Sequence, residues 1–537
     1  MSDMNLFTNN PSQLKLKQYI LSLQSKNKSL QEQLKKELKS KEEIIKTKDK
    51  QIEQQKQTID LLYARLRLEI HHRFGKKSET LPEEQLHLFN EPLDLPQEEQ
   101  QTIEAAEEEI GVAAYTRKKK GRKPFPAHFP REEVIHDLEE TEKTCDDCGH
   151  ALHEIGEDRS EQLDRIPPSH KVLVHVRKKY GCRRCQGKIK MAPLPKRLIP
   201  KSIGTPGLLA DVLVAKYVDH LPFYRQEGIF QRTGIDLPRN TMCHWALRCA
   251  KAMVPLVNIL KEHIVQGTYT NCDETPLRVL KEEGKKKSSK SWMFVYCGGN
   301  RSSPSIVYEY QSTRSGQSAY EFLQKFTGYL QTDAFSVYNI FNANKSVNLV
   351  GCWAHARRKF YDIVKITKTP GLAHEAMKRI YKLYQIEKYA RSAHLSIEER
   401  KELRQKKALP ILHGFKTWLD KNTLCAPPES QIGKAMKYTL DNWSKLICYV
   451  ENGLLEIDNN LIENAIRPFA VGRKNWLFND NHKGAEASAI LYSLIMTCKV
   501  NEVEPYHYLK HIIEKLPYCE SHDDYLKLTP QHYKATL

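Results

Sequence analysis

No apolar run in this 537-residue chain reaches the ~18–20 residues needed to cross a bilayer. No charged-then-apolar leader opens it. A membrane role is therefore not expected, and a cytoplasmic, nucleoid-associated protein is. Thirteen cysteines, an odd number spread thinly, do not make a disulfide framework and fit a reducing compartment. Residues 14–70 contain neither proline nor glycine, so nothing in them stops a helix. Residues 78–116 contain no Lys or Arg but eleven Asp or Glu. Elsewhere acid is in short supply, and the whole chain carries a formal charge of +18. That balance favours a polyanionic partner, of which nucleic acid is the commonest.

What is present falls into blocks. Leu16, Leu23 and Leu30, with Ile20 and Leu34 between, form one seven-residue series; Ile45, Ile52, Ile59 and Leu66 form a second, out of phase with it. The pattern predicts a coiled coil over 14–72 with a stutter near Leu38, and hence a homodimer or higher homo-oligomer. An acidic linker, 73–116, interrupted by Pro82, Pro92 and Pro96, follows. Residues 117–130 open with R-K-K-K-G-R-K-P. Arg122 and Lys123 can read a narrow minor groove, or the run can serve as a phosphate tether.

Cys145-x-x-Cys148 and Cys182-x-x-Cys185, with 33 residues between the pairs, supply four thiolates from two knuckles. They predict one structural zinc ion in a module over 131–200. Arg177, Lys178, Lys179, Arg183 and Arg184 then lie where they can grip DNA. Residues 204–264 read as helices with helix-turn-helix spacing around T-G-I-D-L-P. Arg239, Asn240, His244 and Arg248 fall on one face of the second helix, suited to base edges and phosphates.

From residue 266 the pattern turns to strands. Three β-rich runs, a helical stretch and a fourth strand ending at Asp333 give the order of a ribonuclease H-like sheet, in which the first and fourth strands adjoin. Asp273 and Asp333 then meet although 60 residues apart. The chain reads as core over 265–367, helical insertion over 368–452, core again over 453–500, and a helical C-terminal region over 501–537. The fold class is thus α/β and multidomain.

Glu463, one turn before Arg467 and followed by Arg473 and Lys474, supplies a third carboxylate. Strand alternation turns Glu274 away from the face of Asp273. Asp458 is expected at a helix N-cap. Three carboxylates drawn together repel, and hard divalent ions, Mg2+ or Mn2+, relieve that repulsion. Two such ions suit phosphodiester cleavage. Arg467, Arg473 and Lys474 are expected to steady the DNA phosphates.

D-E-T, Q-T-D-A-F-S-V-Y-N, C-W-A-H-A-R-R-K-F and N-N-L-I-E-N-A-I-R-P-F-A-V-G-R-K-N-W-L-F, with R-F-G-K-K-S-E, G-R-K-P-F-P-A-H-F-P-R-E and Y-V-D-H-L-P-F-Y-R-Q-E upstream, resemble the transposases of the insertion sequence 66 family. The resemblance runs from about residue 60 to near the end. It implies a DDE transposase acting on double-stranded DNA: the terminal inverted repeats of a bacterial element and a target duplex. It places the catalytic roles on Asp273, Asp333 and Glu463 and makes companion proteins of the element plausible partners. It also singles out Cys352-x-x-His355, whose spacing could suggest half a zinc site but which, with no partner pair nearby, reads as packing and hydrogen bonding that brace the active site. Two rivals stay open: an end-binding regulator with an inert core, and a nuclease without strand transfer.

Overall fold

The computed structural model describes residues 11–74, 131–133, 169–180, 190–286, 289–367 and 370–535. The acidic linker beyond Phe74, Arg122 and Lys123, the four knuckle cysteines, and Arg183 and Arg184 lie outside the described residues. The chain forms two compact units, residues 90–195 and the remainder.

In the smaller unit β1 (Lys179–Tyr180) pairs antiparallel with β2 (Lys190–Met191). Arg177 Nε donates to the Ala192 carbonyl at 2.7 Å, while Lys178 and Lys179 are exposed. The larger unit begins with α1 (Pro11–Phe74), one continuous 64-residue helix. It shows no break near Leu38, because a stutter shifts the phase of the apolar seam without interrupting backbone hydrogen bonding. Leu23, Leu30, Ile45 and Ile52 are exposed on it.

A helical array follows: α2 (Pro206–Tyr217), α3 (Phe223–Arg232) and α4 (Arg239–Gln266). Thr205 caps α2, its hydroxyl accepting from Leu208 N, and Pro206 fits the first turn, where its missing N–H costs nothing. The 28-residue α4 contains Pro255, which removes one rung of its hydrogen-bond ladder. Met242, Trp245, Cys249, Met253, Leu256 and Leu260 repeat at helical spacing and are buried.

The sheet comprises β3 (Tyr269–Lys281), β4 (Lys290–Asn300), β5 (Ser303–Gln311), β6 (Gly328–Gln331), β7 (Val347–Val350) and β8 (Asn479–Asn481), with α5 (Gly316–Phe322) between β5 and β6. Its order is β5-β4-β3-β6-β7, with β8 also on β3. β3, β4 and β5 form an antiparallel meander, whereas β6, β7 and β8 add in parallel. Gly328 opens β6 at φ 130°; a side chain there would strike the Thr268 carbonyl, so glycine is what lets β6 lie against the start of β3.

After β7 come α6 (Trp353–Val364), α7 (Leu372–Ser392), α8 (Ile397–Leu403), a π-helical turn at Arg404–Ala408, α9 (Leu409–Thr423), α10 (Gln431–Asp441) and α11 (Trp443–Ile447). α12 (Asn460–Trp476) leads through β8 into α13 (His482–Val500); α14 (Pro505–Lys515), α15 (His522–Lys527) and α16 (Pro530–Ala535) close the chain. α13 covers β5: Ser493 Oγ accepts from Tyr308 N at 2.8 Å, and Thr497 Oγ1 accepts from Ile306 N at 3.0 Å. These hydroxyls satisfy backbone groups that an edge strand would otherwise leave open.

A candidate active site at a gap in the sheet

β3 has two parallel neighbours on one edge, and they leave a gap. β6 pairs only with residues 269–271, the last register pair being Asn271 with Gln331. β8 pairs only near the far end, Val279 with Asn479 and Lys281 with Asn481. Asp273 stands just past the β6 pairing. The sequence places it at the end of a β-rich run; the structure places it mid-strand, because β3 continues along β4, where Asp273 faces Val295. Asp333 lies two residues beyond β6. The register offset between β3 and β6 is 60 residues, the same as from Asp273 to Asp333, so the two aspartates leave the paired region side by side.

Each aspartate is fixed locally. Asp273 Oδ1 accepts from Glu274 N at 2.8 Å, and Asp333 Oδ1 from Phe335 N at 2.8 Å in an Asx turn. The turn puts Ala334 at φ 62°, an uncommon conformation for a residue with a Cβ. Tyr438 of α10 donates its hydroxyl to the Asp333 carbonyl at 2.9 Å.

α12 spans the gap. Asn459 Nδ2 donates to the Cys272 carbonyl at 3.3 Å, and Arg473 Nη1 donates to Thr275 Oγ1 at 2.9 Å and to the Pro276 carbonyl. Side chains at both ends of α12 thus satisfy β3 edge groups that no strand pairs. Asn271 Nδ2 joins Asn459 Oδ1 at 2.8 Å and Gln331 Oε1 at 3.2 Å. Gln331 Nε2 donates to the Glu456 carbonyl at 2.9 Å. This buried amide cluster ties β3, β6 and the entry to α12, and so sets where Glu463 stands in the first turn.

Burial pushes the Asp273 carboxyl well above its ordinary range, and the charges of Asp333, Glu274 and Glu463 push it further. The charges of Asp333 and Glu463 thus both bear on Asp273. Carboxylate oxygens are the donors hard divalent cations prefer, and such a cation would relieve the burial and like charge that disfavour ionised Asp273. Glu463 Oε1 and His355 Nδ1 are buried polar atoms with no hydrogen-bond partner, 3.8 Å apart. Arg358 stands 3.9 Å from the other Glu463 oxygen. Burial holds His355 below its ordinary value, against the pull of the Glu463 charge. Cys352 is fully buried, and its Sγ accepts from Asn459 N at 3.2 Å.

Glu274 does turn away from Asp273. Its side chain is buried against Arg314 at 2.5 Å and also accepts from the Tyr338 hydroxyl. Arg314 is sandwiched over the Phe335 and Trp292 rings at 3.8 and 4.6 Å. Asp458 is not the N-cap. Asn459 occupies that position, one residue later, because its side chain is needed at β3; Asp458 Oδ1 instead accepts from Asn460 N at 3.2 Å. Burial lifts the Asp458 carboxyl to about 6. Arg467 and Lys474 are exposed on α12, while Arg473 is turned inward as the plug described above. Arg239, Asn240, His244 and Arg248 are all exposed along the first turns of α4, with the Arg239 guanidinium 5.7 Å from the Tyr224 ring centre.

Sequence reasoning missed the roles of Asn271, Gln331 and Asn459. The signal was present in T-N-C-D and D-N-N-L-I-E, but polar residues beside a catalytic acid read equally well as solvated. Replacing Asn459 with Ala is expected to take the donor from the buried Cys272 carbonyl and one acceptor from the Asn271 amide, costing about 1–3 kcal/mol. Chemical denaturation measures that loss, and a parallel fall in magnesium affinity separates displacement of α12 from simple destabilisation.

Residues 201–487 match the family described as Transposase IS66 family. This chain belongs to that family. Residues 142–186 match the zinc-finger binding domain of transposase IS66, a segment holding all four knuckle cysteines. Residues 61–134 match a segment described as Transposase C of IS166 homeodomain, and 493–531 the IS66 C-terminal element. Uncharacterized protein y4jD of Sinorhizobium fredii is 34% identical over 423 residues, covering 76% of this chain and 82% of its own. Uncharacterized protein y4qI of the same organism is 33% identical over 478 residues, covering 86% of each chain. The family makes DNA the partner, implies use of a divalent metal, and places a zinc-binding segment in the smaller unit. Among the described residues, no helix is long and apolar enough to cross a membrane.

Proposed function

We propose that this transposase cuts the ends of its element and joins them to target DNA with a ribonuclease H-like core, in which Asp273, Asp333 and Glu463 hold two Mg2+ or Mn2+ ions. The observation that carries this reading is the parallel β3–β6 register, which sets Asp273 beside Asp333 while the charge of Glu463 acts on the same carboxyl. The sheet order supports the core assignment. Bound there, the ion pair would activate the attacking oxygen and neutralise the leaving one.

The chain's own side chains do the rest. Asp273 and Asp333 sit on strands braced by Asn271, Gln331 and Asn459, so the acids keep their geometry as charge shifts during an in-line displacement. Arg467 and Lys474 project from the helix that carries Glu463 and meet the flanking phosphates. Arg239, Asn240, His244 and Arg248 read the terminal repeats. Cys145, Cys148, Cys182 and Cys185 close a structural zinc site that folds the smaller unit, with Arg177, Lys178 and Lys179 on the phosphates. Arg122 and Lys123 add contact from the basic segment. α1 pairs with a second copy through its exposed Leu and Ile series, giving the two active sites that two ends require. Companion proteins of the element complete the assembly.

The test offers pre-cut element ends and a supercoiled plasmid to the purified protein with Mg2+. Covalent joining of ends to plasmid is expected. Cutting of uncut ends without joining identifies a nuclease, and binding without either reaction identifies an end-binding regulator.

A further inference from the structure

Glu463 is drawn two ways. On one side its charge acts on the Asp273 carboxyl. On the other, one ligand atom each from Cys352, His355 and Glu463 lies within 4.8 Å of the others. Cys352 immediately precedes α6 and His355 lies in its first turn, so the three-residue spacing turns thiol and imidazole to one side. The ligand atoms of a tetrahedral zinc ion stand roughly 3.3–3.8 Å apart, given its bond lengths. The His355–Glu463 pair is already at 3.8 Å. Closing the triangle onto an ion needs about 1 Å of side-chain movement from the observed spread. His355 Nδ1 and Glu463 Oε1 have no hydrogen-bond partner, which is costly for buried polar atoms. Burial pushes the Cys352 thiol up, and the Asn459 N–H bonded to its sulfur opposes that in part.

We propose that Cys352, His355 and Glu463 form a second metal site, one for a borderline-soft divalent cation of the zinc class, which takes the Glu463 carboxylate from the hard-ion site and holds the enzyme off. Sulfur and imidazole select zinc over magnesium, whereas the aspartate pair offers only oxygen. Three protein ligands leave the fourth position to water. Binding displaces the thiol proton to solvent, so no oxidant or other reactant is involved. The site rests on the functional reading above only in that the two sites share Glu463.

The experiment counts zinc on the full-length protein after equilibration with Zn2+ in magnesium-free buffer and gel filtration. The wild type is expected to hold one equivalent more per chain than either His355→Gln or Cys352→Ser at the same free zinc. Each substitution should weaken that equivalent about 100-fold, as loss of a well-placed metal partner does. Serine keeps an acceptor for Asn459 N–H. His355, whose side chain is 25% exposed, keeps the test decidable should the serine variant not fold. In the wild type, zinc should inhibit magnesium-dependent end cleavage, and added Mg2+ should relieve it because one carboxylate serves both sites. Equal zinc content in all three proteins, or inhibition indifferent to Mg2+, overturns the proposal. Zinc counting needs no catalysis. An extra equivalent on a chain that never cuts DNA leaves this site standing and removes the functional reading; a cutting chain without the extra equivalent does the reverse.

Discussion

Asp273→Asn is expected to lower magnesium-dependent cleavage of element ends by about 10³-fold or more, the scale of losing several kcal/mol of metal-supplied stabilisation. DNA binding should persist, because the groups assigned to it lie on α4, α12 and the smaller unit. Stability gives a second and opposite signal. Burial and the neighbouring acids raise the Asp273 carboxyl above its unfolded value. Such a group favours the fold only when protonated, so in metal-free protein its charged form is a cost at every pH above the raised value. Asparagine removes that cost. The metal-free variant should therefore melt above the wild type near pH 8, with the gap closing as pH falls towards the ordinary carboxylate range, where both states bind the proton. Added Mg2+ should raise the wild-type midpoint and leave the variant's unchanged. A variant that is inactive and also melts lower without metal would mean that Asp273 is a structural residue and the carboxylates hold no ion.

Arg404→Ala is expected to cost about 3–5 kcal/mol, the scale for stripping one partner from a buried ion pair. Arg404 is fully buried and uses every donor it has. Nε and Nη2 reach the two Glu387 oxygens at 2.7 and 2.9 Å, and the remaining hydrogens go to the carbonyls of Tyr449, Asn452 and Leu455, each at 2.8 Å. Arg400 completes the cluster, 2.6 Å from Glu387 and 2.7 Å from Glu456. Burial alone would raise the Glu387 carboxyl, but Arg404 and Arg400 overcome it and hold the group below its ordinary value. A depressed carboxyl contributes stability above its unfolded pKa, and that contribution is lost as pH falls through the folded value. Alanine removes most of it. Urea denaturation should thus show a wide gap between wild type and variant near pH 7 that narrows once pH falls below the ordinary Glu range and Glu387 protonates. A gap independent of pH would mean that the loss is packing, not charge. The three carbonyls belong to the segment that runs into Asn459, so metal affinity at the active site should fall together with stability.

Much of the catalytic region was legible because two simple periodicities survive folding. Apolar alternation fixed which runs are strands, and a parallel register carried the spacing between Asp273 and Asp333 into three dimensions without distortion. Glu463 reads as a candidate because its helix is amphipathic and its basic neighbours recur at turn spacing, and it stands in the first turn of α12. Arg473 was misjudged in part: its spacing matches Arg467 and Lys474, yet the unpaired edge of β3 draws it inward. No local pattern announces such a gap, since it arises from where β6 and β8 happen to stop. The Asn271–Gln331–Asn459 cluster escaped for the same reason, as its members come from three separate elements. The Arg404 cluster escaped because a charged residue in a Lys-rich helical stretch reads as solvated until its partners are placed.

α4 begins with Arg239 and Asn240 exposed, and only Gly267 and Thr268 separate its end from the strand that bears Asp273. Whatever pushes on Arg239 or Arg248 is therefore felt along a single rod leading to the strand of Asp273. The rod is weakest at Pro255, one rung short, so a load on its outer half bends it there first.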